Sequence, residues 1–275
     1  MTPRQALLEC GAADAGSVSW ASAARHIGAE QALRCQDAVP GLASVHGAIF
    51  PYYAGDEPGN LCLYARGEDY HRVLRRRLEQ AAQALRQEHP GCAFVPFADI
   101  SPFPEVLLGA LCGLGVRGQN GLLITRRFGS YVFVGLLAST LPWPDSAAEP
   151  GECIGCAACR RACPGGALTG DFDPERCLSH ISQKRGELSA HQRALLAQSP
   201  LIWGCDRCQT VCPMNRGAEQ TGLPEFRQDL ILSLSERDCA LSDRQFRKTY
   251  GSRAFSWRGV APLRRNLALQ EGKKE

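Results

Sequence analysis

The chain has 275 residues, 44% of them hydrophobic and 21% charged, with a formal net charge of +3. That length supports one larger and one smaller domain with a real buried core, while so small a net charge supplies no global field that would single out a polyanionic partner. Nothing approaches the ~18 consecutive apolar residues of a membrane span: the longest candidate, residues 131–141, is interrupted by Gly135, Ser139 and Thr140 and predicts a buried strand.

The first residues, MTPRQALLEC, lack the charged-then-apolar layout of a signal peptide, so a cytoplasmic location and no membrane partner are expected. Residues 3–10 predict a short helix closed by Gly11. Residues 12–41 are rich in Ala and Ser, with helical patches around 23–35 and a stop at Pro40-Gly41, and carry no recognisable chemistry. LASVHGAIF, residues 42–50, has the apolar density of a strand and ends at Pro51. The loop PYYAGDEPGN follows; its Tyr52 and Tyr53 suit either stacking on a flat ligand or plugging the domain edge. Arg66, at the entry to the next helix, is a candidate for an anionic ligand.

Between residues 69 and 87, Leu74, Leu78, Ala81, Ala82 and Leu85 recur at three- and four-residue steps, which predicts a long amphipathic helix. Its cluster Arg72, Arg75, Arg76 and Arg77 is expected to be a solvated face. CAFVPF predicts the next strand, which delivers Asp99 at its carboxyl end before SPFPE. Such a position is where α/β domains place reactive groups, although an isolated aspartate there serves equally as an Asx-turn or a helix cap. Residues 105–111 predict a short apolar helix. GLGVRGQNGLLIT has four glycines but not the strand, GxGxxG and helix context of a dinucleotide site. GLLIT and YVFVGLLAST predict two buried strands forming a hairpin across RRFGS, and the proline-rich LPWPDSAAEPGE predicts a linker.

Eight of the fourteen cysteines then fall between residues 153 and 213. Cys153, Cys156, Cys159 and Cys163 follow the order C-x2-C-x2-C-x3-C-P, and Cys177, Cys205, Cys208 and Cys212 complete the set. This is the bacterial ferredoxin ligand pattern, and eight thiolates match two 4Fe-4S clusters. Three cysteines spaced by two residues wrap one cubane, while the fourth, before a proline that turns the chain away, faces a second. Cys153, Cys156 and Cys159 are therefore expected to be completed by Cys212, and Cys163 to join Cys177, Cys205 and Cys208. Zinc sites also use C-x2-C pairs, but close with four ligands from two short pairs. A disulfide framework fits poorly with a chain that shows no secretory leader. Cys10, Cys35, Cys62, Cys92, Cys112 and Cys239 are expected to be small buried hydrophobes. Residues 244–265 hold seven basic residues and no acidic one, interleaved with Phe246, Tyr250, Phe255 and Trp257, a composition shared by RNA-contacting segments and by packed terminal helices.

Taken together, PYYAGDEPGNLCLYARGEDYH, FADISPFPE, GLGVRGQNGLLI, FGSYVFVG, CIGCAACRRACPGGAL, RCLSHISQKRG and WGCDRCQTVCPMN resemble the epoxyqueuosine reductase family, the cobalamin-dependent iron-sulfur enzymes that finish queuosine in tRNA. The resemblance covers about residues 45–220, and a more distant one links the chain to reductive dehalogenases. It implies that Asp99 is the acid that protonates the departing epoxide oxygen, and that the eight cysteines are cluster ligands. It further implies that cobalamin binds near Tyr64, Arg66, Asn120, Ser179 and Ser182. The chain departs from the family pattern at Leu63, Val106, Arg117 and Gln119, and it ends in APLRRNLALQEGKKE, which implies a short form without the helical repeats that grip the tRNA anticodon stem-loop. If tRNA is the substrate, the basic segment 244–265 must supply most of the phosphate contacts. The expected fold is α+β: a mixed-sheet cobalamin-binding domain over 1–145, a helical two-cluster ferredoxin-like domain over 146–218, and a short basic segment over 219–275. The expected function is reduction of epoxyqueuosine in tRNA by an external low-potential electron donor, with reduction of a free small molecule or non-enzymatic electron transfer as alternatives.

Overall fold

The computed structural model describes residues 1–146 and 151–272, so part of the expected linker, residues 147–150, lies outside the described residues. Internal contacts divide the chain into two units, Met1–Pro51 with Tyr70–Ile154, and Tyr52–Asp69 with Gly155–Glu275. The tyrosine-bearing loop therefore belongs with the cysteine-rich half, and so does the basic segment. No helix among the described residues is long and apolar enough to cross a membrane.

The first unit is α+β. Its helices are α1 (Pro3–Glu9), α2 (Trp20–Ala24), α3 (Ala29–Ala38), α4 (Tyr70–Glu88) and α5 (Glu105–Leu111), and its strands are β1 (Asp14–Ser19), β2 (Ser44–Pro51), β3 (Phe94–Phe97), β4 (Val116–Arg117), β5 (Leu123–Ile124), β6 (Val132–Ser139) and β7 (Gly151–Glu152). The main sheet runs β1-β2-β6-β3 and is antiparallel throughout. The mixed pairing expected of it occurs in the small sheet instead, where β4 is antiparallel to β5 and parallel to β7. The predicted hairpin across RRFGS is not formed: β5 and β6 lie in different sheets, and an isolated bridge between Thr125 and Gly129 closes the turn that separates them.

Alternation along β2 and β6 assigns one face to each helical layer. Val45, Ile49, Leu136 and Ala138 enter a core with Leu108, Leu111 and Cys112 of the α5 region. On the opposite face Gly135 makes room for Leu78 of α4, because a Cβ there would stand 2.9 Å from a Leu78 methyl. Leu74, Leu78, Ala81, Ala82 and Leu85 are all buried, as the helical period predicts, whereas Arg72, Arg75 and Arg76 are exposed. Gly16 and Gly47 pair across β1 and β2, and together leave a notch for the end of α5: a Cβ at Gly16 would overlap the Cys112 carbonyl oxygen.

The second unit is built from short helices, α6 (Ala158–Ala162), α7 (Leu178–Gln183), α8 (Ala190–Gln198), α9 (Arg207–Thr210), α10 (Glu236–Ala240), α11 (Asp243–Tyr250) and α12 (Ala261–Glu271). Such short elements gain little from propensity alone and depend on caps and packing. Capping boxes start α8 at Ser189 and Gln192, and α11 at Ser242 and Gln245. Leu178, Ile181, Leu188, Leu195 and Leu196 form a core that Leu269 of α12 joins. Asn266, fully buried, donates from Nδ2 to the carbonyls of Ser182 and Ile202, 2.8 Å each, and so pins α12 to α7. Phe246, Tyr250 and Phe255 pack on one another at 4.9–6.2 Å, the packed-helix outcome for three of the four aromatics of the basic segment. Cys10, Cys35, Cys62, Cys112 and Cys239 are buried, as small hydrophobes should be, whereas Cys92 departs from that expectation and is only half-buried.

Candidate active site and cluster-binding cysteines

Asp99 lies two residues past the end of β3, with a left-handed backbone at φ 64°. Aspartate tolerates this region better than most side chains do, yet the conformation persists only where neighbours hold it. Two groups at the start of α4 grip its carboxylate: Tyr70 Oη donates to Oδ2 at 2.9 Å, and His71 Nε2 lies 2.6 Å from the same oxygen. The Tyr70 ring stacks on His71 at 4.0 Å and on Phe133 of β6 at 4.3 Å, nearly parallel, so sheet and helix fix both donors. The Asp99 side chain nevertheless remains 51% exposed and His71 32%, which leaves the pair open to a reactant. The His71 hydrogen bond, ahead of that from Tyr70, holds the Asp99 carboxyl below the usual range.

A second carboxyl stands beside it. Glu105, the first residue of α5, accepts from Ser101 Oγ at 3.2 Å and from the Asp99 backbone. Burial, and then the charge of Asp99, push Glu105 up to about 7. The Asp99 loop is thus tied at both ends, and carries one carboxyl held low and one held high, the separation that divides acid and base roles in many sites. A cavity lined by His71, Arg75, Pro96, Phe97, Ala98 and Ile100 adjoins the loop. Sequence reasoning singled out Asp99 and passed over Tyr70, His71 and Glu105; all three stand in the stretches EDYH and SPFPE that carried the resemblance.

The cysteine run curls through two left-handed residues, Gly155 at φ 68° and Ala157 at φ 55°, before α6. Cys159 rides on α6, which packs against α9 carrying Cys208. Cys163 ends α6 in an extended conformation before Pro164, and Cys177 caps α7. Burial and then the mutual repulsion of thiolates push Cys208 up to about 12, the opposing groups being Cys205, Cys177, Cys159 and Cys163. Cys205 is pushed up to about 11, with Cys177 and Cys163 among its causes after burial. Cys205 and Cys208 thus lie near both Cys163 and Cys177, and Cys208 lies near Cys159 as well. Of the first quartet, Cys156, Cys159 and Cys212 belong to the second unit, whereas Cys153 follows β7 at the end of the first. The cysteines are all unbridged, and among the described residues no three His, Cys, Asp or Glu side chains converge on a point that would hold a single metal ion.

The expected cofactor contacts divide. Arg66 is only 7% exposed, and its Nε and Nη1 donate to the carbonyls of Leu61 and Glu57 at 2.9 and 2.7 Å, so the guanidinium braces its own loop rather than standing ready for an anion. Ser182 is fully buried, donating to the Ser179 carbonyl and accepting from Gly204 N–H, which removes it as a ligand contact. Tyr64 Oη accepts from Gln183 and Trp203, and the Ser179 residue is half-buried. Asn120 differs: its Oδ1 caps Leu122 N–H, while its Nδ2 is buried without a partner. Tyr52 plugs rather than stacks, being 7% exposed with Gln209 Nε2 donating to its hydroxyl at 2.9 Å.

Comparison with known proteins agrees with this division of labour. Residues 33–99 match the family described as Epoxyqueuosine reductase QueG, DUF1730, and residues 152–215 match the 4Fe-4S double cluster binding domain. An epoxyqueuosine reductase of Bacillus cereus is 35% identical over 219 residues, 78% of this chain and 57% of the relative, so this chain spans little more than half of that protein. One from Lactococcus garvieae is 33% identical over 237 residues, 82% of this chain and 67% of the relative. The fold is that of an epoxyqueuosine reductase solved with an epoxyqueuosine-modified tRNA stem loop, with a TM-score of 0.84, 24% identity and coverage of 98% of this chain and 79% of that one. On the combined strength of the cysteine pattern, the Asp99 loop and these likenesses, the chain belongs to the epoxyqueuosine reductase family.

Proposed function

We propose that this protein reduces epoxyqueuosine to queuosine at the tRNA wobble position, in the cytoplasm, with two 4Fe-4S clusters and cobalamin as resident cofactors and an external low-potential electron donor. The observation that carries this reading is the Asp99 carboxylate held by Tyr70 and His71 at the mouth of a strand, in a chain that also carries eight cluster-type cysteines. Removing the epoxide oxygen as water consumes two electrons and two protons and leaves a carbon–carbon double bond. The electrons are assigned to the clusters, Cys153, Cys156, Cys159 and Cys212 holding one and Cys163, Cys177, Cys205 and Cys208 the other. Cobalamin, when bound, would supply a strongly reducing centre for this chemistry. The residues fit such a group in one respect: the orphaned Asn120 Nδ2 is a buried donor of the kind that the amide-rimmed edge of a corrinoid satisfies. Arg66 and Ser182 are assigned to the framework of the second unit.

The protein's own part is the first of the two protons, the second coming from solvent that reaches the exposed Asp99. Asp99 and His71 share one across 2.6 Å, and Asp99 passes it to the departing oxygen while Tyr70 keeps the carboxylate oriented. Anaerobic turnover of an epoxyqueuosine-bearing stem-loop, with cobalamin and a low-potential reductant, tests this. Asp99→Asn is expected to lower turnover by roughly 100- to 10,000-fold with iron and cobalamin content unchanged. Full activity in that variant, or absence of cobalamin uptake by the wild type, would overturn the assignment.

A further inference from the structure

Trp257 departs from the other aromatics of the basic segment, for it is 52% exposed while Phe246 and Phe255 are buried. An exposed indole is ordinarily free to tumble, but this one is fixed on two sides. Its Nε1 donates to Gln183 Oε1 at 3.2 Å, and the Arg258 guanidinium lies over the ring at 3.7 Å from the centroid. Gln183 is itself held, donating to Tyr64 Oη, which also accepts from the fully buried Trp203. A continuous hydrogen-bonded line thus runs from the core of the second unit to the exposed indole.

Positive charge collects around it. Arg185 donates through Nε and Nη2 to the Arg258 carbonyl at 3.2 and 3.1 Å, and Arg265 donates through Nη1 to the carbonyls of Lys184 and Gly186. Among the described residues none of Arg185, Arg258 and Arg265 is ion-paired with a carboxylate, and Arg258 Nε and Arg265 Nη2 have no hydrogen-bond partner. Lys184 is the exception, paired with Glu175 at 2.6 Å. Three arginines whose charge no carboxylate neutralises, beside a rigid, half-covered aromatic face, provide the two elements that single-stranded RNA uses, a stacking plane and a phosphate track. An acidic protein surface would satisfy the arginines but leave the indole face wet.

We propose that Trp257, backed by Arg258 and flanked by Arg185 and Arg265, is a stacking platform for an unpaired base of the RNA substrate. The proposal deepens the tRNA reading above by giving the loop a docking point in the second unit. The line from Gln183 also places the platform on α7, the helix that Cys177 begins, so base docking and a cluster ligand share one element.

The test uses the full chain, purified anaerobically, and a fluorescein-labelled RNA hairpin with an unpaired loop, compared with a fully paired RNA of equal length. Trp257→Ala is expected to weaken hairpin binding roughly 5- to 150-fold with little change in its salt dependence or in binding of the paired RNA, and Trp257→Phe to restore most of the loss. Arg185→Gln is expected to lower the slope of log affinity against log salt by about 0.7–0.9. Hairpin affinity within about twofold of wild type in Trp257→Ala, with iron content intact, would overturn the platform; so would wild-type chain that binds an acidic protein but no hairpin. Turnover of an epoxyqueuosine-bearing stem-loop, measured in parallel, separates the two claims: its absence in wild type counts against the reductase reading, and leaves a Trp257-dependent hairpin affinity standing.

Discussion

Replacing Glu105 by Gln offers a measurement of how the Asp99 loop is held. In the folded protein burial and the nearby Asp99 charge move this carboxyl from 4.5 to about 7. At 1.36 kcal/mol per pH unit that corresponds to about 3 kcal/mol between its protonated and ionised forms. The folded state binds the proton more tightly than the unfolded chain does, so this contribution is fully present below about pH 4.5 and is lost as pH rises through 7. Glutamine keeps an acceptor for Ser101 Oγ and has no proton to lose. Urea unfolding at about pH 5 and about pH 8.5, followed by a probe in the first unit, reads the difference, and comparing the two proteins at each pH cancels every other titrating group. Glu105→Gln should be near wild type at the lower pH and more stable by up to about 3 kcal/mol at the higher. Parallel pH dependences would show that Glu105 ionises as a surface carboxyl does, and that the contrast between the two carboxyls does not exist.

Two further outcomes follow from the packing and the cysteines. Cys177→Ala should lower iron content from about eight to about four per chain, if Cys177 serves one cluster together with Cys163, Cys205 and Cys208 as the ligand pattern assigns; loss of all iron, or none, would contradict the assignment. Gly16→Ala should destabilise the first unit by about 1–3 kcal/mol, because its Cβ overlaps the Cys112 carbonyl oxygen and backbone must move; an unchanged thermal midpoint would refute the notch.

Local rules made some parts of this chain legible and left others hidden. Helix α4 was visible because its apolar residues repeat with the helical period and its partner is a flat sheet face. The cluster cysteines were visible because spacing in sequence is itself the ligand geometry. Strand β1 was not, since Ala, Gly and Ser carry almost no strand preference, and their smallness is required by the helix end packed against them. The hairpin failed because two adjacent apolar runs reveal burial but not which sheet each joins. Arg66 was misjudged for a related reason: a charge on a loop looks available until the carbonyls of Leu61 and Glu57 are seen around it. Asp99 was a candidate by its position after a strand and became the acid only through the family resemblance, whereas Tyr70 and His71 reach it from residues 28–29 positions earlier, a distance no local pattern spans.

The excursion Tyr52–Asp69 has a bearing on how the chain is made. Asn60 and Leu234 exchange two hydrogen bonds across 174 residues, and Cys62 N–H bonds the carbonyl of Trp203. At a synthesis rate of about 5–20 residues per second, the excursion waits roughly 9–35 s on the ribosome before its partners emerge. Leu61 and Cys62, wholly buried in the finished fold, are bare throughout that interval and are natural ligands for a nascent-chain chaperone. A gene cut after residue 154 would separate the cluster-bearing segment from residues 52–69, so the ferredoxin-like half is not a cassette that can be lifted out intact.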